Sequence, residues 1–201
     1  MKVPRKHSDI LAKNYIKYME YLKTEPKDEK EIIKNTILIF YDIKEDKFNS
    51  FEYKIVLDMY KIIENILKIP QKLIPIFTFK GIEYGINPNF DDMTFAEMVD
   101  CDTTDIIQQI CVLYRPIKKK KGDKYTIKKY KADISIYEDM KETLTLDVFL
   151  GFLGFFLKIN SDILNYTLNY LMEKATDPEM KKLLEKNGVG WDGYMNYAGV
   201  I

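Results

Sequence analysis

The chain holds a single histidine, His7, so any Ser-His-Asp or Cys-His nucleophilic device would have to use it. It sits in the charged segment Met1-Lys-Val-Pro-Arg-Lys-His-Ser-Asp, where nothing positions an imidazole for proton transfer. One histidine and two cysteines, Cys101 and Cys111, are too few and too badly spaced for a structural zinc site. The thiols read as reduced core residues rather than as a bridge. Oxygen ligands are more plentiful: Asp91, Asp92, Glu97, Asp100, Asp102 and Asp105 put six acids and no base into 15 residues, donors of the kind a hard divalent cation takes. Their spacing lacks the central glycine and the bidentate glutamate of a calcium loop, and Asp42-Ile-Lys-Glu-Asp fails in the same way. Acids at helix starts also serve as caps and complement the helix dipole. No metal ligand and no cofactor is assigned. With no nucleophile, base and orienting group brought together, the chain reads as non-enzymatic.

The basic counterpart follows at once. Arg115, Lys118, Lys119, Lys120, Lys121, Lys124, Lys128, Lys129 and Lys131 stand against Asp123 alone, interleaved with Tyr114, Tyr125 and Tyr130. Such a segment suits a phosphate-tracking surface with stacking rings. The plainer reading is a solvated loop tip in a lysine-biased proteome. Lysine occurs 29 times and arginine twice, isoleucine 26 times and alanine five, the imprint of AT-rich coding. A formal net charge of zero adds no overall pull toward a polyanion. Lys118-Lys-Lys-Lys-Gly lacks the paired glycines and the Lys-Ser/Thr of a phosphate loop. If the acidic and basic segments face outward in different directions, copies can dock head to tail into a ring or filament; the alternative is that they pair within one chain.

Two further features concern contact rather than chemistry. Gly151-Phe-Leu-Gly154 spaces small residues three apart in an apolar run, which admits close approach of another segment, within the chain or from a second copy. The glycine-spaced tail, residues 187–201, carries Trp191, Tyr194 and Tyr197 and cannot form a core of its own. It either packs back on the domain or inserts into a partner.

Positioning these groups falls to 201 residues, 46% of them hydrophobic, enough to bury roughly two-thirds of the unfolded surface without disulfide or metal. Steps of three and four mark a first helix over residues 9–23, capped by Ser8 or Asp9, and a second from about Asp28 to Tyr41, with strand a live alternative for 36–41. A third run places Phe51, Ile55, Met59, Ile62, Ile63 and Ile66 on one side and ends at Ile69-Pro70. The period then changes: residues 74–79 and 82–86 flank Lys80-Gly81 and predict a hairpin. Asp92 or Thr94 caps a short helix with Phe95, Met98 and Val99, and another helix covers 103–114, ending before Pro116. Lys118–Lys124 reads as a loop, followed by a short strand near Tyr125. From Ile136 the chain is helical, with a central apolar helix from Leu146 to Leu157, another from Ser161, and a short basic one from Pro178. The expected fold is therefore mainly α with a small β-hairpin, a single domain over 1–201: helical front 1–70, hairpin 74–86, helical core 92–186 and tail 187–201. The charged start shows no export signal, and the 12-residue apolar run falls short of the ~20 residues of a membrane span.

Phe77-Thr-Phe-Lys-Gly-Ile-Glu-Tyr-Gly-Ile-Asn-Pro, Met93-Thr-Phe-Ala-Glu, Cys111-Val-Leu-Tyr-Arg-Pro-Ile, Lys124-Tyr-Thr-Ile-Lys-Lys-Tyr and Leu146 to Leu171, taken in order, resemble a phage protein. The pattern, over about residues 74–173, is similar to virion-associated or tail-assembly, chaperone-like proteins of crAss-like bacteriophages that infect Bacteroidetes. The helical front departs from the usual tail-assembly chaperone. The resemblance implies a virion component, packaged cargo or assembly chaperone, acting through contacts with other phage structural proteins or itself, in the bacterial host cytoplasm and within the virion. It brings no catalytic residue. Nucleic-acid binding through 115–131 is the alternative function.

Overall fold

In the computed structural model, which describes residues 3–103 and 105–174, the chain begins with a long-range clasp rather than a side-chain cap. Residues His7–Asp9 form one 3-10 turn, Asp9 accepts from the backbone N–H of Arg5 (3.0 Å), and α1 (Ala12–Leu22) starts after Leu11. Ala12 N–H donates to the Leu144 carbonyl and Leu146 N–H to the Ile10 carbonyl, both at 2.8 Å. The expected cap at Ser8 or Asp9 gives way because this antiparallel bridge, Leu11 to Thr145, fixes where the helix can start.

The helical front forms as its periodicity predicts. In α2 (Glu29–Tyr41) Ile33, Thr36, Ile37, Phe40 and Tyr41 are buried at steps of three, four, seven and eight, so the 36–41 segment is helix despite its β-branched residues. Asp28 caps it by accepting from Lys30 N–H, and Thr36 Oγ1 satisfies itself on the Ile32 carbonyl (2.7 Å). A single turn, α3 (Glu45–Phe48), leads into α4 (Tyr53–Leu67), whose buried stripe is Val56, Met59, Ile63 and Ile66; Ile55 faces out. α2 packs between α1 and α4, and Tyr41 Oη donates to the Met59 carbonyl at 3.0 Å.

The β element is larger than the sequence suggests. Strands β1 (Ile76–Phe79) and β2 (Ile82–Ile86) make the expected hairpin, with Lys80 and Gly81 both at positive φ, 49° and 78°, as a two-residue hairpin turn requires. β3 (Tyr114–Lys121) and β4 (Lys124–Ile127) extend it to a four-stranded antiparallel sheet in the order β1-β2-β3-β4. The fold is helix-dominated as expected, but the small hairpin is corrected to a four-stranded sheet, which makes it mixed α/β. Pro116 is tolerated in β3 because its carbonyl accepts from Lys128 N–H (2.9 Å), so the N–H it lacks faces a residue just past the end of β4. At Gly85 an added Cβ would collide with the Tyr125 ring, which lies over it while Tyr125 Oη donates to the Ile86 carbonyl (2.8 Å).

Four helices complete the described chain. α5 (Phe95–Cys101) opens on a Thr94–Glu97 capping box, α6 (Ile106–Leu113) on Asp105, and α7 (Ile134–Thr143) on Asp133. α8 (Leu146–Lys174) is one helix of 29 residues where the sequence suggests two. Residues 158–162 contain neither proline nor glycine, and Lys158 pairs with Asp162 across the expected break (3.1 Å). No helix among the described residues is long and apolar enough to cross a membrane. The short helix expected from Pro178 lies outside the described residues. Leu146 and Phe152 of α8 are fully buried with Ile37, Ile63, Ile110 and Tyr114, so the start of α8 lies at the centre of the core, as its sequence predicts.

The two glycines of α8 divide the small-residue motif between them. A Cβ at Gly151 would overlap the Lys72 carbonyl oxygen, whereas one at Gly154 would meet nothing within 4 Å. The close approach at Gly151 is therefore made within the chain. Gly151→Ala is expected to destabilise by about 1–3 kcal/mol through overpacking against backbone. Gly154→Ala should stabilise by roughly 0.5–1 kcal/mol through helix propensity. Urea unfolding of the two variants separates these outcomes.

Candidate contact surfaces

Arg115 and the lysines that follow it go to different places. The Arg115 side chain is turned inward, where Nη1 donates to Glu97 Oε1 at 2.6 Å, with side-chain exposures of 12% and 3%. The other carboxylate oxygen of Glu97 accepts from Thr94 N–H (2.6 Å) and Thr94 Oγ1 (2.8 Å), so both oxygens of the buried carboxylate have donors, while Arg115 Nε is buried with no hydrogen-bond partner among the described residues. Arg115 is thus committed to an internal ion pair, a correction to its place among exposed phosphate ligands. Lys118, Lys119, Lys120, Lys121 and Lys124 are exposed on β3 and β4, and the expected lysine loop is a two-stranded ribbon.

The three tyrosines that were expected to interleave with the bases as stacking rings also face inward. Tyr114 is buried and its Oη donates to the Ile74 carbonyl (2.7 Å); Tyr125 covers Gly85; Tyr130 Oη donates to Asp100 Oδ2 (2.6 Å). Tyr137 Oη likewise donates to Asp105 Oδ2 at 2.6 Å. Burial first, and then the neighbouring carboxylate, pushes the Tyr130 phenol up; for Tyr137 the hydrogen bond to Asp105 is the larger cause. Both phenols remain proton donors. Half of the acidic cluster is consumed in this way: Glu97, Asp100 and Asp105 hold the chain's own Arg115, Tyr130 and Tyr137. Asp91, Asp92 and Asp102 stay on the exterior. Pairing within one chain therefore accounts for part of the charge separation.

Between these tyrosines lies a cavity of about 320 Å³, lined in part by Gln108, Cys111, Tyr130 and Tyr137. Burial pushes the Cys111 thiol up to about 12, and the Cys101 thiol is raised by the same cause. Both are unbridged and held protonated, far from nucleophilic thiolates. Among the described residues no group of three or more His, Cys, Asp or Glu side chains converges as a metal site.

The surface that sequence reasoning missed is on α5. Its inward position is Glu97, while Phe95, Met98 and Val99 are 85%, 56% and 53% exposed. The short helix expected with Phe95, Met98 and Val99 forms, and it turns these three residues outward. Beside it a groove of about 560 Å³ is lined by Phe90, Met93, Met98, Val99, Leu113 and Phe156, with the Phe90 and Phe156 rings edge to face at 6.0 Å. Trp191, Tyr194 and Tyr197, the other proposed contact residues, lie outside the described residues. Comparison with models of known families, with curated proteins and with solved structures finds no match.

The Glu97–Arg115 pair generates a stability prediction. Glu97→Met alone strands a largely buried guanidinium and should cost about 3–5 kcal/mol. Adding Arg115→Met should recover a substantial part of the loss, because a buried pair replaced as a whole by apolar groups costs far less. Equal instability of single and double variants in urea would show that the pair contributes nothing as a pair.

His7 gives the second. It is 3% exposed and its Nε2 has no hydrogen-bond partner among the described residues. Burial lowers its pKa from the ordinary 6.5, partly opposed by the Asp147 carboxylate. The unfolded chain therefore binds a proton that the folded chain refuses, and stability that is complete above 6.5 declines as pH falls below it. His7→Leu should flatten the fall in melting temperature between about pH 6.5 and pH 5.

Proposed function

We propose that this is a non-enzymatic protein that works by protein–protein contact, with the outer face of α5 as its contact surface. The observation that carries the reading is the inverted amphipathicity of α5: the charge is inside and Phe95, Met98 and Val99 are outside. Apolar side chains clustered on one exposed face mark interaction surfaces, and aromatic anchors dominate their energetics. Removing these three from water at an interface would contribute about 25 cal/mol for each Å² of apolar area buried. The groove alongside, walled by Phe90 and Phe156, offers such a partner a concave seat.

The partner class rests on sequence alone. On the resemblance to crAss-like phage proteins, the partners are other phage structural proteins or further copies of this chain, and the place of action is the host cytoplasm during assembly and the virion. A tail component, packaged cargo and a transient chaperone all use such a face. Incorporation of a photo-crosslinking amino acid at position 95, in cells that make the protein, is expected to give a discrete protein adduct. The exposed helical position Lys17 supplies the background. Adducts at 95 no stronger than at 17 would overturn the contact reading.

A further inference from the structure

The far half of β3 leaves its ladder with β2, and the β3–β4 ribbon keeps one face against the sheet, where Tyr125 lies over Gly85, and turns the other out. β2 pairs with β3 only over Tyr114–Pro116, and from Ile117 onward β3 has β4 as its only strand partner. Lys118 is the extra residue of a bulge, since Ile117 faces Ile127 and Lys119 faces Thr126. The register then sorts the lysines. Lys120 is opposite Tyr125 and shares its inward face, where Lys120 pairs with Glu83 at 2.9 Å. Lys119, Lys121 and Lys124 fall on the opposite face, all exposed, and none has a carboxylate within salt-bridge distance among the described residues.

We propose that this ribbon is a duplex-DNA docking arm that holds phosphates through lysine ammonium groups and reads no base sequence. Three observations favour that partner. A two-stranded ribbon fits the major groove of B-form DNA, which is about 12 Å wide, whereas the major groove of duplex RNA is too narrow. The tyrosines that would stack on unpaired bases are used internally, which removes the platform single strands need. The outward cations are all lysine, point charges suited to phosphate, while the one arginine nearby, with the fork that reads guanine, is turned inward and paired with Glu97. The inference goes beyond the α5 contact and is independent of it.

The competing reading is that the lysines only guard an open strand edge against aggregation. Fluorescence anisotropy with a short DNA duplex and the corresponding single strand, across a salt series, decides. Duplex should bind tighter than single strand. Lys119→Gln/Lys121→Gln/Lys124→Gln should flatten the log–log salt slope by about 0.9 per lysine removed. Those three contacts alone correspond to roughly a 40-fold loss of affinity between ~50 and ~200 mM salt. Lys27→Gln/Lys30→Gln/Lys54→Gln, exposed lysines of the helical front, should leave the slope unchanged, and both variants should melt like the parent. The proposal is overturned by absence of duplex binding at low salt, by equal slopes in the two triple variants, by tighter binding of single strand, or by tighter binding of polyglutamate, which would make the partner an acidic protein.

Discussion

Tyr114 belongs to two elements at once. Leu113 is the last residue of α6 and Tyr114 the first of β3, so helix turns into strand with no connecting residue. A junction that abrupt holds only if the switching residue is pinned, and Tyr114 is pinned on every side. Its ring meets Phe77 of β1 at 5.0 Å and Phe152 of α8 at 6.1 Å, and its hydroxyl donates to the Ile74 carbonyl. One residue earlier, the Leu113 carbonyl accepts from Asn87 N–H (2.7 Å), closing the end of β2 onto the same point. Burial also pushes the Tyr114 phenol up, so it remains a donor there. From this fixed origin strand alternation aims the rest: Arg115 goes to Glu97, and the lysines that follow are carried out along the ribbon.

The ion pair at the root of β3 explains the odd dress of α5. A seven-residue helix has only one inner face, and residues 97, 100 and 101 share it at steps of three and four. Once Glu97 is drawn inward as both capping-box partner and counter-ion to Arg115, Asp100 comes with it to receive Tyr130, and Cys101 packs against the core. Phe95, Met98 and Val99 have nowhere to point but outward. Removing a carboxylate from water while leaving a phenylalanine in it runs against hydrophobic sorting, and the arrangement persists because both carboxylate oxygens of Glu97 have donors.

What the sequence shows and hides follows from the range of the forces involved. Helices α1, α2, α4 and α6, the β1–β2 hairpin and the Thr94 cap are legible because periodicity, turn chemistry and capping act within a few residues. β3 was hidden since Tyr-Arg-Pro-Ile followed by four lysines has no two-residue apolar alternation; it is strand because β2 and β4 pair with it across the chain. The start of α1 was misplaced because a bridge to residue 145, not a local side chain, sets it. The orientation of α5 is likewise set at long range. Periodicity finds a stripe, but which stripe faces inward was decided by an arginine eighteen positions further on. Of the candidate lysines, the sequence identified the cluster; only the cross-strand register separates Lys119, Lys121 and Lys124 from Lys120.

Composition bias and placement answer different questions. The composition, 29 lysines against two arginines, says how many cations of each kind the chain carries. It does not account for where the rarer cation stands. Arg115 is one of two arginines in the chain, and it occupies the position where a less hydrated, planar cation is suited to a buried carboxylate. A lysine there would have to desolvate a compact ammonium against the same Glu97. The cations of the ribbon beyond it are all lysines, whose flexible stems suit an exterior in contact with water. The same few residues of β3 thus divide into an anchor and an arm, and the division follows the hydration of the two cations.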